Sequence, residues 1–250
     1  MHPTLMPEPF LSIVIPAYNE AARIGSTIVS VCRHVQSKPY TTELIAVDDG
    51  SRDSSPQVLD ELAARYPAMR VIRHEPNRGK GFSVREGALE ARGEFILFTD
   101  ADLSTPIEEM DRLLETLQTT GAASAIGSRA VRRELVGVHQ PLFREYGGRF
   151  FNLLVRLLTG LPIADTQCGF KLFRRAATRR AFELQQVPGF GFDPELLFLI
   201  QRLGGKIVEV PVCWNNNPAT KVHFLRDSVR MVADLVALRW RALTGGYPRE

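Results

Sequence analysis

The chain has 250 residues, 44% hydrophobic and 24% charged, which supports one large buried core and excludes a disordered, collagenous or disulfide-stapled chain. The net charge of +3 conceals an asymmetry: residues 1–128 hold 12 Lys and Arg against 18 Asp and Glu, a balance of −6, whereas residues 129–250 hold 19 against 10, a balance of +9. A basic second half points to an anionic partner, whether phosphates, nucleic acid or a membrane surface.

The first residues, MHPTLMPEPF, lack a basic flank leading into an apolar run, so no secretory signal is expected. Short β-branched runs then recur at Leu11–Ile15, Glu43–Val47, Met69–Ile72, Glu94–Phe98 and Ala123–Ile126, separated by segments with helical spacing. That alternation predicts an α/β fold with a mostly parallel sheet flanked by helices. Asn19 is predicted to cap a helix from Glu20, and Ser104 or Thr105 one with Pro106 at its first position and Glu108 and Glu109 in its first turn. After Arg129 the rhythm changes. An apolar, Arg-studded stretch covers Arg149–Ala164, and Gly169–Phe173 and Lys206–Trp214 read as strands around a helix near Pro194–Leu203. Phe224–Leu243 reads as an amphipathic helix with Leu225, Val229, Val232, Val236 and Trp240 on one side and Arg226, Arg230, Asp234 and Arg241 on the other. The most apolar stretch, Phe150–Ala164, is broken by Asn152, Arg156 and Gly160, so no bilayer span is expected. Cys32, Cys168 and Cys213 show no CxxC spacing, which argues against zinc or a disulfide framework and for a reducing, cytoplasmic setting.

In open α/β sheets ligands bind beyond the carboxyl ends of the strands. Here those ends carry Pro16-Ala17-Tyr18-Asn19-Glu20, Asp48-Asp49-Gly50-Ser51, Asp100-Ala101-Asp102 and Gly127-Ser128-Arg129. Asp100 and Asp102, one residue apart after a strand, suit a hard divalent cation that also takes diphosphate oxygens, because Mg²⁺ keeps only one or two protein carboxylates beside phosphates and waters. The alternative is a solvated loop in which Asp102 caps the next helix. Asp48 and Asp49 can accept hydrogen bonds from a nucleoside, or form an Asx-type turn, and Asp53 reads as a helix cap. Asn77–Gly81, NRGKG, lacks both the GxxxxGK[ST] and the GxGxxG spacing; it reads as a turn opening a helix, with Lys80 near the nucleotide as the functional option. His2, His34, His74, His139 and His223 show no ligand spacing, and no GxSxG is present.

The ordered set PAYNE, VDDGS, NRGKG, DADLS and GSR resembles the family 2 glycosyltransferases with a GT-A fold. Asp165–Phe173 (DTQCGFKLF), Gly191–Leu197 (GFDPELL) and Trp214–Lys221 are similar to the polyprenyl- and dolichyl-phosphate β-glucosyltransferase branch, over about residues 10 to 225. The resemblance implies a nucleotide-sugar-binding half at 1–128 and an acceptor- and membrane-facing half at 129–250 of one GT-A domain. Pro16, Ala17, Tyr18 and Glu20 would wall the base and ribose, Asp49 with Asp48 would read the base edge, and Asp100 and Asp102 would hold donor ribose and a Mg²⁺ or Mn²⁺ ion. Arg129 and Lys221 would contact phosphates, and Gln167 and Lys171 would face the acceptor. In the mannosyl relatives a Gln two positions after the second Asp also meets the metal; here that position is Ser104, which leaves its role open.

The implied activity is inverting transfer of a hexose, glucose from a UDP-glucose donor, to a polyprenyl-phosphate acceptor. Asp102, Arg129 and Asp193 are the expected catalytic residues. A lipid phosphate is largely dianionic at neutral pH, its second pKa being about 6, so a general base is dispensable. Asp193 would then orient Lys171 or an arginine, or cap its helix; with a hydroxyl acceptor such as a polysaccharide or small glycoside it would be the base. A silent sugar-nucleotide-binding module is the third reading. Arg132, Arg133, Arg144, Arg149 and Arg156 interleaved with Phe150, Phe151, Leu153 and Leu154 suit a helix in the headgroup region, hence peripheral contact at the cytoplasmic membrane face and no nucleic acid; packing on the sheet or on a partner subunit is the alternative. A homo-oligomer is left open.

Overall fold

The computed structural model describes residues 8–138, 142–215 and 224–248. In chain order the elements are β1 (Leu11–Ala17), α1 (Ile24–Gln36), β2 (Thr42–Asp48), α2 (Ser55–Arg65), β3 (Met69–Arg73), α3 (Lys80–Glu90), β4 (Phe95–Thr99), α4 (Glu109–Thr120), β5 (Ser124–Ser128), β6 (Val136–Val138), α5 (Leu142–Thr159), β7 (Phe170–Arg174), α6 (Arg175–Leu184), α7 (Phe192–Arg202), β8 (Ile207–Pro211), β9 (Trp214–Asn215) and α8 (Phe224–Leu243). Seven strands form one sheet in the order β3-β2-β1-β4-β7-β5-β8, and β6 and β9 form a small second sheet. All pairings in the large sheet are parallel except those of β7, which runs antiparallel to both β4 and β5.

The central strand β1 is buried along its whole length, as a strand covered by helices on both faces must be. Its side chains alternate between two cores. Ile13 and Ile15 join Ile28 and Val31 of α1, Leu59 of α2 and Leu113 and Leu117 of α4. Val14 points the other way, to Val84 of α3, Val155 of α5, Phe182 of α6, Leu196 of α7 and Leu235 of α8. Each fully buried Ile, Leu or Phe contributes about 1.5–3 kcal/mol, so this two-sided burial is the main source of stability. Close packing on the second face depends on Gly87, where a Cβ would stand 2.4 Å from Val14 Cγ1.

The strands read from the sequence are present, with one adjustment among them and two at helix starts. The Lys206–Trp214 run is two strands: β8 ends at Pro211 and β9 leaves for the small sheet. Helix α1 starts at Ile24, not Glu20, because Asn19 takes a left-handed φ of 54° and spends its side-chain oxygen on Arg52 N–H at 2.7 Å. Helix α4 starts at Glu109, beyond the expected Pro106, after a turn at Ile107 and Glu108.

Helix α8 has two apolar stripes, and the buried one is not the one the spacing singled out. Met231, Leu235, Leu238 and Ala242 enter the core, while Val229 (70%), Val236 (57%) and Trp240 (65%) stay exposed. Its neighbours α5 and α7 decide which stripe is covered.

Candidate active site

Because β7 is antiparallel, it enters the sheet at the edge where β1, β2, β4 and β5 leave it. This adds Asp165–Gly169 to the four polar strand ends. A cleft of about 640 Å³ opens there, lined by Pro16, Ala17, Tyr18, Glu20, Asp49, Lys80, Asp100 and Asp102 from the expected set. Asn77 of the NRGKG turn lines it too, with Arg23, Phe190, Arg226, Asp227 and Arg230; no motif marks these last five, and only their position in the folded chain identifies them. Lys221, with His2, His139 and His223, lies outside the described residues.

Asp48 is buried, its Oδ1 accepting from Ser51 N–H at 3.1 Å. Asp49 is buried too and organises the NRGKG turn. Its Oδ1 accepts from Arg78 N–H at 2.9 Å and lies 3.0 Å from His74 Nδ1, and its Oδ2 accepts from Gly79 N–H at 2.7 Å. His74 is fixed in turn by Glu86. Gly79 has a φ of 103°, and a Cβ there would stand 2.4 Å from Pro188 O, so only glycine fits. The turn therefore delivers Lys80, the first residue of α3, into the cleft in one orientation. No histidine spacing announced the His74–Asp49 contact, which spans two strands.

Lys80 Nζ lies 2.7 Å from Asp100 Oδ1. Burial works against the charged form, but Asp100, with Asp193 and Asp102 beyond it, holds the ammonium's pKa above its usual value. Asp100 sits directly over Gly169, whose N–H-bearing backbone approaches so closely that a Cβ would stand 2.0 Å from Asp100 Oδ2. Asp102 Oδ1 accepts from Ser104 N–H at 3.0 Å, and its Oδ2 lies 3.9 Å from Arg23 Nη1. Arg23 is itself paired with Glu20, which with the two aspartates raises its pKa despite burial.

Among the described residues no group of three or more His, Cys, Asp and Glu converges as a metal cage. The pair Asp100 and Asp102 instead fits a hard cation that completes its shell from a diphosphate and waters. Both carboxylates are engaged within the chain, Asp100 Oδ1 by Lys80 Nζ and Asp102 Oδ2 by Arg23 Nη1, while Asp100 Oδ2 packs over Gly169, so a cation held there would take the place of these partners.

Arg129 makes a two-pronged ion pair with Asp165, Nε to Oδ2 at 2.7 Å and Nη2 to Oδ1 at 2.8 Å, and its backbone N–H adds a third bond at 3.0 Å. Glu209 holds the Asp165 loop through the Ala164 and Asp165 N–H groups. Burial alone would raise the Asp165 carboxyl, but the Arg129 charge and hydrogen bonds overcome this and keep it below its usual value. A depressed carboxylate contributes stability that is full above its unfolded pKa, about 3.9, and is lost as pH falls through the folded value. Asp165→Asn is therefore expected to lower stability at pH 7 by about 1.5–3 kcal/mol. The difference from wild type should close on acidification below about pH 4, as read by denaturant melts across pH.

Lys171, expected on the acceptor side, is fully buried: Nζ donates to Asp193 Oδ1 and to Cys168 O, both at 2.5 Å. The arrangement in which Asp193 orients Lys171 is thus the one seen, and neither side chain opens to an acceptor here. Burial, reinforced by Asp100, pushes the Asp193 carboxyl up against the pull of Lys171 and Lys80. Glu195 is structural, its carboxylate accepting from Gln186 N–H, Val187 N–H and the Tyr247 hydroxyl. Gln167 is half-buried, its amide 3.9 Å from Met231 sulfur on α8.

Comparison with known proteins agrees with this geometry. Dolichyl-phosphate beta-glucosyltransferase of Saccharomyces cerevisiae is 36% identical, over 96% of this chain and 77% of that protein. The Homo sapiens protein of the same name is 35% identical over 96% and 78%. Among solved structures, mannosyl-3-phosphoglycerate synthase from Rubrobacter xylanophilus superposes with a TM-score of 0.67 at 20% identity, covering 95% of this chain and 74% of that one. Glucosyl-3-phosphoglycerate synthase from Mycobacterium tuberculosis, solved with uridine diphosphate, gives 0.64 at 21%, covering 97% and 82%. The similarity runs through both the acidic and the basic half, and with the model of glycosyl transferase family 2 matching residues 12–182, the chain belongs to that family.

Proposed function

We propose that this enzyme transfers glucose, with inversion, from UDP-glucose to a polyprenyl phosphate at a membrane surface. The observation that carries the acceptor and the sugar is the similarity to dolichyl-phosphate beta-glucosyltransferases along more than nine-tenths of the chain. The cleft supplies the matching chemistry. Pro16, Ala17, Tyr18 and Glu20 would flank the nucleoside, and Asp100 and Asp102 would hold a Mg²⁺ or Mn²⁺ ion, which when bound neutralises charge on the departing diphosphate. Lys80, Arg226 and Arg230 line the same cleft and would meet phosphate oxygens, with Arg129 and Lys221 in support. A phosphate oxygen of the acceptor, already dianionic, would attack the anomeric carbon from the face opposite the nucleotide. The hydroxyl-acceptor reading is less well supported, since Asp193 is buried and paired.

The membrane surface is proposed from α5 and α8, which pack on each other. Tyr146, Phe150, Leu153 and Leu157 form an exposed stripe on α5, and Val229, Val236, Trp240 and Leu243 one on α8. Arg149, Arg156 and Arg239 are exposed on the same two helices, the pattern of an amphipathic pair lying in an anionic headgroup layer. No described helix is long and apolar enough to cross a membrane.

Donor and acceptor are tested together by offering UDP-glucose, UDP-galactose, UDP-N-acetylglucosamine and GDP-mannose with a short polyprenyl phosphate and Mg²⁺ or Mn²⁺. Glucosyl lipid in the organic phase from UDP-glucose alone is the expected result; product only with hydroxyl acceptors would overturn the reading. In flotation with phosphatidylglycerol vesicles the protein should co-migrate at low salt and less so as the Debye length falls to about 3 Å at 1 M. Leu157→Asp with Trp240→Asp should abolish co-migration, and an unchanged double variant would remove these helices from the interface.

A further inference from the structure

Both carboxylates of the Asp100-Ala101-Asp102 turn already face a cation belonging to the chain. Lys80 Nζ is 2.7 Å from Asp100 Oδ1, and Arg23 Nη1 is 3.9 Å from Asp102 Oδ2. The lysine is held there by construction. Asp49 fixes the Arg78 and Gly79 N–H groups, Gly79 backs onto Pro188 O, and the ammonium approaches the rings of Phe98 and Phe190 at 5.4 and 6.0 Å. Its side chain remains about a quarter exposed, on the cleft side, so it can turn toward a ligand without leaving the site.

We infer that Lys80 is a built-in counter-cation for Asp100 that makes divalent-cation binding conditional on the donor's diphosphate. The inference rests on the reading that Asp100 and Asp102 hold the cation. A divalent ion arriving alone must break the Lys80–Asp100 pair and leave an ammonium beside two positive charges in a confined cleft. When a diphosphate is present, the released ammonium gains anionic oxygens as a new partner. Each ligand thus lowers the cost of binding the other, and linkage requires the effect to be reciprocal. Asp49, His74 and Gly79 become positioning residues for this device, since they fix where the lysine begins.

The test is Mn²⁺ titration followed by the electron paramagnetic resonance signal of free Mn²⁺, with and without UDP as the diphosphate probe. It uses wild type, Lys80→Met, Lys80→Gln and Lys80→Arg, with circular dichroism to establish that each is folded. Wild type and Lys80→Arg should bind Mn²⁺ weakly alone and at least about tenfold more tightly with UDP, within the usual range of coupling between two sites. Lys80→Met and Lys80→Gln should bind Mn²⁺ alone more tightly than wild type, with the UDP enhancement reduced to a few-fold or less. Folded neutral variants that bind Mn²⁺ alone no better than wild type overturn the inference. If Asp102→Asn still abolishes Mn²⁺ binding in that case, the cation-site reading survives. Wild type that binds no Mn²⁺ even at saturating UDP overturns both.

Discussion

Asp102→Asn should lower glucosyl transfer by at least about 10²–10³-fold, the cost of removing one group that stabilises developing charge in a preorganised site. The side chain is partly exposed, and the hydrogen bond it accepts from Ser104 N–H at Oδ1 can be kept by an amide oxygen. Stability should therefore change by no more than about 0.5 kcal/mol, separating a loss of chemistry from a loss of fold. Gly169→Ala is the companion variant. It leaves every charge in place, but its methyl group would stand 2.0 Å from Asp100 Oδ2, so the carboxylate must leave its position. A similar fall in turnover is expected, measured as glucosyl lipid formed per enzyme at saturating donor. Undiminished transfer by Asp102→Asn would remove the acidic turn from the mechanism, and undiminished transfer by Gly169→Ala would show that the location of Asp100 is unimportant.

The elements with two-sided burial were the most legible. Runs such as LSIVIPA and FILFT are buried along their whole length and apolar apart from Ser12 and Thr99, because these strands are covered on both faces, and the polar clusters that end them mark the ligand edge. Local pattern did not reveal contacts made by distant parts of the chain. Arg129 and Asp165 are 36 positions apart and meet only because β7 runs back between β4 and β5. DTQCGFKLF is recognisable as a string, yet the role of its aspartate as the seat of Arg129 depends on that reversal. Helix α8 was hard to orient for a different reason: two apolar stripes satisfy helical spacing equally well, and packing against α5 and α7 selects one. The stripe left outside is the one now assigned to the membrane, so the departure from expectation carries functional content. The −6 and +9 halves separate in a similar way. The first contributes the carboxylates of the cleft, whereas the second contributes Arg226 and Arg230 at its lip and the exposed arginines of α5 and α8.

Lys171→Met should destabilise the protein by about 3–5 kcal/mol, because removing one member of a buried ion pair strands the other. Lys171 has no exposed surface and is the partner of Asp193, 2.5 Å away across the β7–α7 contact. Without it, the Asp193 carboxyl, already raised by burial, must rise further and fold in its protonated form. A carboxyl whose folded pKa exceeds its unfolded value binds more protons when folded, so stability falls as pH climbs from the unfolded pKa through the folded one. Lys171→Met should consequently be closer to wild type at pH 5 than at pH 8 in denaturant melts. The double variant Lys171→Met, Asp193→Leu replaces the pair by apolar groups and should recover most of the loss and its pH dependence, since such replacements are often neutral. The same pair separates the acceptor classes. A general base supplies about 10²–10⁴-fold, so Asp193→Asn would be nearly inactive if a hydroxyl had to be deprotonated. With a phosphate acceptor it should keep activity within about tenfold of wild type, because the dianion needs no base. Measured with polyprenyl phosphate, a loss of a thousandfold or more in Asp193→Asn that is still folded at the assay temperature would return Asp193 to the catalytic set.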